Sequence, residues 1–292
     1  MKKKSSLKHT GAFWAFCAPC CILFGVFFLV PLVLSIAFSF TNYDGWKTID
    51  FVGPTNYITL FKDSKFYLSL GRTLLYTVCT LPFRVIIPLL VAVLLCSKRV
   101  AAKSLTRTMV YIPVLMSALV VGITINWMFS QEYGLVNFII RSLGGTALEW
   151  SLNPRLATFV IAFASVWASI GFNMILYIGG INSISNDLYE AATIDGASGV
   201  QAFFRITVPM LAPTTFMVVL LSTVNLLKEY ALVQGITQGG PGLSTTFIIQ
   251  YIFDKGFNQM QYGYVSAIST VVMIIFALIA FAQFKVNNGG ET

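Results

Sequence analysis

Five stretches of this chain contain no Asp, Glu, Lys or Arg: 9–43, 108–131, 156–186, 206–227 and 256–284. A sixth, 73–96, is interrupted only by Arg84. Each is long enough to cross a bilayer, since about 20 apolar residues in a helix span the ~30 Å hydrocarbon layer. With 57% hydrophobic and only 10% charged residues, the chain cannot cover a water-soluble globule, whose charged share is typically about 25%. A soluble enzyme is excluded on this ground, and so is disorder, which needs low hydrophobicity and high charge. The fold class is therefore all-α: a polytopic membrane helix bundle. Strands left open in lipid would strand their backbone groups, and the alternating ten-residue segments of a barrel do not occur.

Six transmembrane helices are expected, at about 12–40, 73–96, 108–129, 157–181, 210–233 and 263–284, in one membrane domain over 1–292. An even number of spans puts both termini on one side. If that side is the cytoplasm, inside segments carry ten basic residues, namely Lys2, Lys3, Lys4, Lys8, Lys98, Arg99, Lys103, Arg107, Arg205 and Lys285. The longer outside loops carry seven, namely Lys47, Lys62, Lys65, Arg72, Arg141, Arg155 and Lys255. The positive-inside bias thus places both termini in the cytoplasm of a bacterial-type inner membrane. The net charge of +8 is mostly this topology signal and implies no nucleic acid. The first apolar run is too long for a signal-peptide core, so it reads as an uncleaved helix. Pro19, Pro31, Pro82, Pro88 and Pro113 are expected to bend their helices.

Several chemistries are missing from the sequence. It has no GxxxxGK[ST] nucleotide loop. One His and no loop Cys cluster argue against a zinc site. All five Cys (17, 20, 21, 79, 96) fall in apolar runs. Cys17 and Cys20 have CxxC spacing, but in an apolar helix they read as packing residues.

The segment between the fourth and fifth spans, 183–208, is neither tail nor plain linker. Asp187 followed by Glu190 resembles a capping box that starts a helix. Leu188, Ala191 and Ala192 form its apolar side, and Asp195-Gly196 ends it with Gly196 in a left-handed cap position. A second short helix sets Ala197, Val200, Phe203 and Phe204 on one face before Pro209. The result is a helix-turn-helix with an apolar face in the cytoplasm, which implies a protein partner.

This segment resembles the signature loop of the inner-membrane permease subunits of binding-protein-dependent ATP-binding-cassette importers. Glu190-Ala191-Ala192, Gly196, Ile206 and Pro209 fit its spacing without a gap, with Val208 where Leu is usual. Phe51-Val52-Gly53-Pro54-Thr55-Asn56-Tyr57 resembles the FVG-x-x-NY segment of sugar-type permeases. Thr237-Gln238-Gly239-Gly240-Pro241 resembles the T-x-GGP segment of one of the paired permease types. The likeness is to the maltose and glycerol-3-phosphate branch. It implies coupling to a separate cytoplasmic P-loop ATPase dimer through Glu190, Ala191, Ala192, Asp195, Gly196, Ala197, Phe203, Ile206 and Pro209. It also implies a second six-span permease and an extracytoplasmic solute-binding protein. No cofactor is expected in this chain, because ATP and Mg²⁺ would sit on the partner ATPase, and no catalytic residue or metal ligand is expected.

Polar residues inside spans are costly and mark substrate paths by default. Ser222, Asn225 and Glu229 form one stripe on span 5; Ser165, Ser169 and Phe172 form another on span 4, flanked by Trp167 and Asn173. These amides, carboxylates, hydroxyls and an aromatic face suit a sugar. The bland alternative is that they glue helices together. Arg84, in the middle of span 2, needs a partner, and both the Glu229 carboxylate and a backbone carbonyl fit the sequence equally well. The stripes carry no cation apart from the neighbouring Lys228, which favours an uncharged sugar over glycerol 3-phosphate. A self-sufficient secondary transporter or a membrane-embedded enzyme leaves the 183–208 segment unexplained.

Overall fold

A computed structural model describes residues 5–46, 49–97 and 102–288. Of the basic residues that set the topology, Lys2, Lys3, Lys4, Lys47, Lys98 and Arg99 lie outside the described residues. The described residues are mostly helical. Among the described residues the one extended pairing is an isolated antiparallel bridge between Thr41 and Phe51.

Among the described residues four helices are long and apolar enough to cross a membrane: Phe13–Phe38, Ser64–Cys96, Pro154–Asn182 and Tyr262–Val286. The remaining two expected spans, 108–129 and 210–233, are not single rods. The first is a pair, Lys103–Leu115 and Ala118–Met128, bent by 100°. The second is Gly199–Met210 and Ala212–Leu227, bent by 66°. Counting each bent pair as one span gives six.

The breaks have local causes. In the first pair the helix continues through Pro113 to Leu115 and stops where Met116 and Ser117 both adopt extended backbone before the second half begins. In the other pair Leu211 leaves helical geometry just ahead of Pro213, which takes the first turn of the next helix. That helix ends at Leu227 rather than running to 233; the chain restarts as Ala231–Ile236. By contrast, helix 64–96 continues through both Pro82 and Pro88.

The chain forms two compact units, 1–63 with 252–275 and 64–251 with 276–292. In the first, the first long helix turns back at a short hairpin. The Asn42 N–H donates to the Asp50 carbonyl at 3.1 Å and the Val52 N–H to that of Phe40 at 2.8 Å. Gly263 packs against this hairpin so tightly that a Cβ there would sit 2.1 Å from the Thr41 carbonyl oxygen.

In the second unit helix 64–96 runs beside helix 154–182 in the same direction. Tyr76 packs with Val160, Ile161 and Ala164, and Ala92 and Leu95 pack with Met174, Tyr177 and Ile178. Two glycine crossings bring backbones together. A Cβ on Gly122 would lie 3.0 Å from the Gly235 Cα, which seats helix 118–128 on helix 231–236. A Cβ on Gly171 would lie 2.7 Å from the Val110 carbonyl. In lipid, where apolar side chains gain little by meeting each other, such close contact is what holds helices together.

Candidate functional site

The 183–208 segment folds as a helical hairpin. Its first helix is Asn186–Ile194. Ser185, not Asp187, caps it by accepting the Asp187 N–H at 3.2 Å. The expected Asp187–Glu190 box is therefore absent, and the Glu190 side chain stays exposed. A complete capping box occurs further along. The Ser198 hydroxyl accepts the Gln201 N–H at 3.3 Å, and the Gln201 side chain accepts the Ser198 N–H at 2.8 Å. Ser and Asp cap about equally well, so the start of the helix decides: each serine stands just ahead of its helix, where its hydroxyl reaches an N2 or N3 donor.

The turn between the helices is a Schellman cap. The Ala197 N–H donates to the Ala192 carbonyl at 2.8 Å and the Gly196 N–H to the Thr193 carbonyl at 3.1 Å. Gly196 has φ +77°, the left-handed region that favours glycine. A Cβ there would meet nothing within 4 Å, so conformation alone demands the glycine. Asp195 is the C-cap residue.

The base of the hairpin is fixed. The Tyr189 and Thr207 hydroxyls are 2.9 Å apart, and Tyr189 and Ile206 pack on the cluster around Met174 and Tyr177. Pro209 lies in the short helix Val208–Met210 that leads into the bundle. The tip is open. Ile194, Val200 and Phe204 are 86%, 68% and 64% exposed. Ala191 is exposed too, whereas Ala192, Ala197 and Phe203 are half-buried. Phe203 meets Phe204 edge to face. The expected apolar face is thus exposed at Val200 and Phe204 and partly covered at Ala197 and Phe203.

The two polar stripes are not brought into one surface. Ser165 and Ser222 are buried, as is Glu229, while Phe172 and Asn225 are exposed and Ser169 is half-buried. The Ser169 hydroxyl donates to the Val166 carbonyl at 2.9 Å. Asn173, a flanking residue in the sequence reading, is the link between three helices. Its amide donates to the Arg84 carbonyl at 2.9 Å and to the Ser222 hydroxyl at 3.2 Å. Arg84 donates through Nη2 to the Ser165 backbone carbonyl at 3.0 Å. Glu229 accepts the Leu232 N–H at 3.4 Å. The backbone carbonyl, rather than the carboxylate, is therefore the direct partner of the central cation.

A third polar stripe went unread. Thr73, Tyr76, Thr77, Thr80 and Arg84 share one buried face of helix 64–96. Their i, i+3, i+4, i+7 and i+11 spacing was the available signal. Among the described residues the Tyr76, Thr77, Thr80 and Ser165 hydroxyls and the Arg84 Nε have no partner at full hydrogen-bond geometry, although Ser165 lies beside both Tyr76 and Glu229. Thr73 differs, accepting the Ile248 N–H at 2.9 Å.

The two other motifs are structural locks. Asn56 donates to the carbonyls of Ser39 and Thr41 at 2.9 and 2.8 Å, and the Tyr57 hydroxyl lies 2.7 Å from that of Ser39. Gly53 has φ +58° at the start of this segment. In the 237–241 segment the Thr237 and Thr245 hydroxyls are 2.7 Å apart and Thr246 donates to the Gly239 carbonyl at 3.2 Å. Gly239, at φ +93°, supplies the left-handed turn.

The chain matches the family model described as "binding-protein-dependent transport system inner membrane component" over residues 57–288. It is 32% identical to the arabinooligosaccharides transport system permease protein AraP of Bacillus subtilis, covering 94% of this chain and 88% of that one. It is 31% identical to the lactose transport system permease protein LacF of Rhizobium radiobacter, covering 93% and 92%. It is 32% identical to the multiple sugar-binding transport system permease protein MsmF of Streptococcus mutans, covering 95% and 96%. Among solved structures, a chain of a bacterial ABC transporter that imports the acidic polysaccharide alginate superposes with a TM-score of 0.83. That match is 23% identical and covers 97% of both chains, so it establishes the shared fold. The chain belongs to the family of inner-membrane components of binding-protein-dependent transport systems.

Proposed function

We propose that this family member is one permease subunit of an ATP-driven sugar importer in the cytoplasmic membrane, forming half of the path for an oligosaccharide or glycoside. Its units act as one permease domain over 1–292, with both termini in the cytoplasm. The partners are a second six-span permease, a cytoplasmic P-loop ATPase dimer and an extracytoplasmic solute-binding protein. The sugar assignment draws on relatives that serve arabinooligosaccharides, lactose and multiple sugars.

The observation that carries the reading is the 186–207 hairpin. A rigid, doubly capped turn with an exposed apolar tip and a free-standing acid is a lever, not a linker. Ile194, Val200 and Phe204 would enter a cleft on the ATPase, and Glu190 would pair with a basic group at its rim. Ala191, Ala192 and Ala197 keep the hairpin slim, while Ile206, Phe203, Pro209 and the Tyr189–Thr207 contact pass movement into the bundle. The hairpin lies between helix 154–182 and helix 212–227, so a rigid shift of it reaches Phe172 and Asn225 directly. These two exposed residues are the sugar contacts of the path; Ser165, Ser169, Ser222 and Glu229 line or brace it.

The test separates the two claims. A cysteine at Val200 should cross-link to the ATPase in the assembled transporter, whereas one at Thr158, at the far end of helix 154–182, should not. Asn225→Leu should cut sugar uptake at least tenfold with the cross-link unchanged. Loss of the Val200 cross-link alone would remove the coupling assignment. Unchanged uptake in Asn225→Leu would remove the sugar path.

A further inference from the structure

A groove of about 730 Å³ runs between helices 64–96 and 154–182. Its walls are apolar and aromatic. Leu75 and Phe83 line it from one helix, Phe159 and Phe163 from the other, and these four are 44–66% exposed. On helix 64–96 the lining begins at Arg72, and on helix 154–182 it begins at Pro154 and Arg155. Because the helices run in the same direction, both arginines stand at the same end. No Asp or Glu lines the groove. Arg72 uses part of its donor set on the Leu243 carbonyl. A guanidinium has five N–H donors, so others stay available to an oxyanion.

The dimensions fit one leaflet. The lining on helix 64–96 extends from Arg72 to Ile87, about 22 Å at 1.5 Å per residue. Half of a bilayer with its headgroups is about 20–22 Å. Two cations at one end with no carboxylate in the lining call for an anionic group there, and the exposed aromatic wall calls for a flexible apolar chain below it. A lipid with an anionic headgroup satisfies both parts at once. Its phosphate is held by a fork that suits bidentate oxyanion contact, and its acyl chain lies along the aromatic wall.

We propose that this groove is a resident site for one anionic phospholipid, its headgroup phosphate clamped by Arg72 and Arg155. The lipid comes from the leaflet at the arginine end, which the charge bias assigns to the outer side. It would fill the crevice between the two helices, with Tyr76 and Thr80 of the buried polar stripe at its floor.

The test uses the assembled transporter in nanodiscs of mixed phosphatidylethanolamine and phosphatidylglycerol, followed by delipidation and native mass spectrometry. The wild type should retain one phosphatidylglycerol per complex and no enriched phosphatidylethanolamine. The double variant Arg72→Gln, Arg155→Gln should retain at least tenfold less. Ala162→Trp, which fills the groove but keeps both charges, should also lose it. A photo-cross-linker at Phe163 should capture lipid, a readout that does not depend on how well the variants assemble. Equal retention in the double variant would overturn the proposal. So would capture of a second protein chain from Phe163, which would make the groove a subunit interface.

Discussion

Gly196 offers a clean separation of backbone conformation from bulk. Its φ is +77° and a Cβ would touch nothing within 4 Å. Replacement by alanine therefore costs only the left-handed penalty, roughly 1–2 kcal/mol for an L-residue. Asparagine tolerates this region and should cost less, whereas valine, with its branched Cβ, should cost more. A loss of 1–2 kcal/mol lowers the ratio of correctly turned to misturned hairpin by about 5–30-fold. The bundle should be unaffected, because the turn lies away from both buried clusters. Uptake and ATPase co-purification should thus fall in the order Gly, Asn, Ala, Val, while the detergent melting temperature of the chain stays constant. If Asn and Val were equally damaging, bulk inside a docking cleft would be the cause and the conformational reasoning would be wrong. A falling melting temperature would show that the turn contributes to the core.

Three further outcomes follow from the packing. Asn173→Ala leaves the Arg84 carbonyl and the Ser222 hydroxyl without their donor, so thermal stability should drop by roughly 1–3 kcal/mol; an unchanged melting curve would show the amide is dispensable. Gly235→Val drives side-chain atoms into the Leu119 carbonyl, 2.8 Å from the position of the first added carbon, so the folded yield should collapse, with Gly235→Ala intermediate. Tyr189→Phe removes the contact to Thr207, a loss of about 0.5–1.5 kcal/mol, and should loosen coupling so that ATP is hydrolysed with less sugar moved; full coupling would show that the hydroxyl contact is not part of the lever.

The membrane class and the six segments were legible because hydrocarbon tolerates so few charges. A bend in the span with Pro113 was expected, but its place at Met116–Ser117, its size of 100° and the break at Leu211 were not legible, since apolar composition measures thickness and is blind to direction. Pro113 and Pro213 marked both sites, yet Pro82 and Pro88 lie inside an unbroken helix, so proline alone does not decide. The hairpin was read down to its left-handed glycine, because turn chemistry is local. Its N-cap was misread since Ser185 and Asp187 are both capping residue types two positions apart, and only the geometry shows that the helix already begins at Asn186 with Asp187 inside its first turn. The polar stripes were harder. Helical spacing groups residues on one helix, but which face meets a neighbour is a tertiary matter. Ser165 and Ser222 turned inward while Phe172 and Asn225 stayed open. Asn173 joined three helices through a carbonyl that sequence spacing cannot see.

The central claim is that the 186–207 hairpin docks this permease onto a separate ATPase. It is tested most directly by gentle detergent capture of the chain from native membranes, with co-purifying proteins identified by mass. The account predicts a P-loop ATPase and a second six-span protein, the ATPase being lost in Gly196→Val and retained in Gly196→Asn. A chain that purifies alone or only with itself would contradict it.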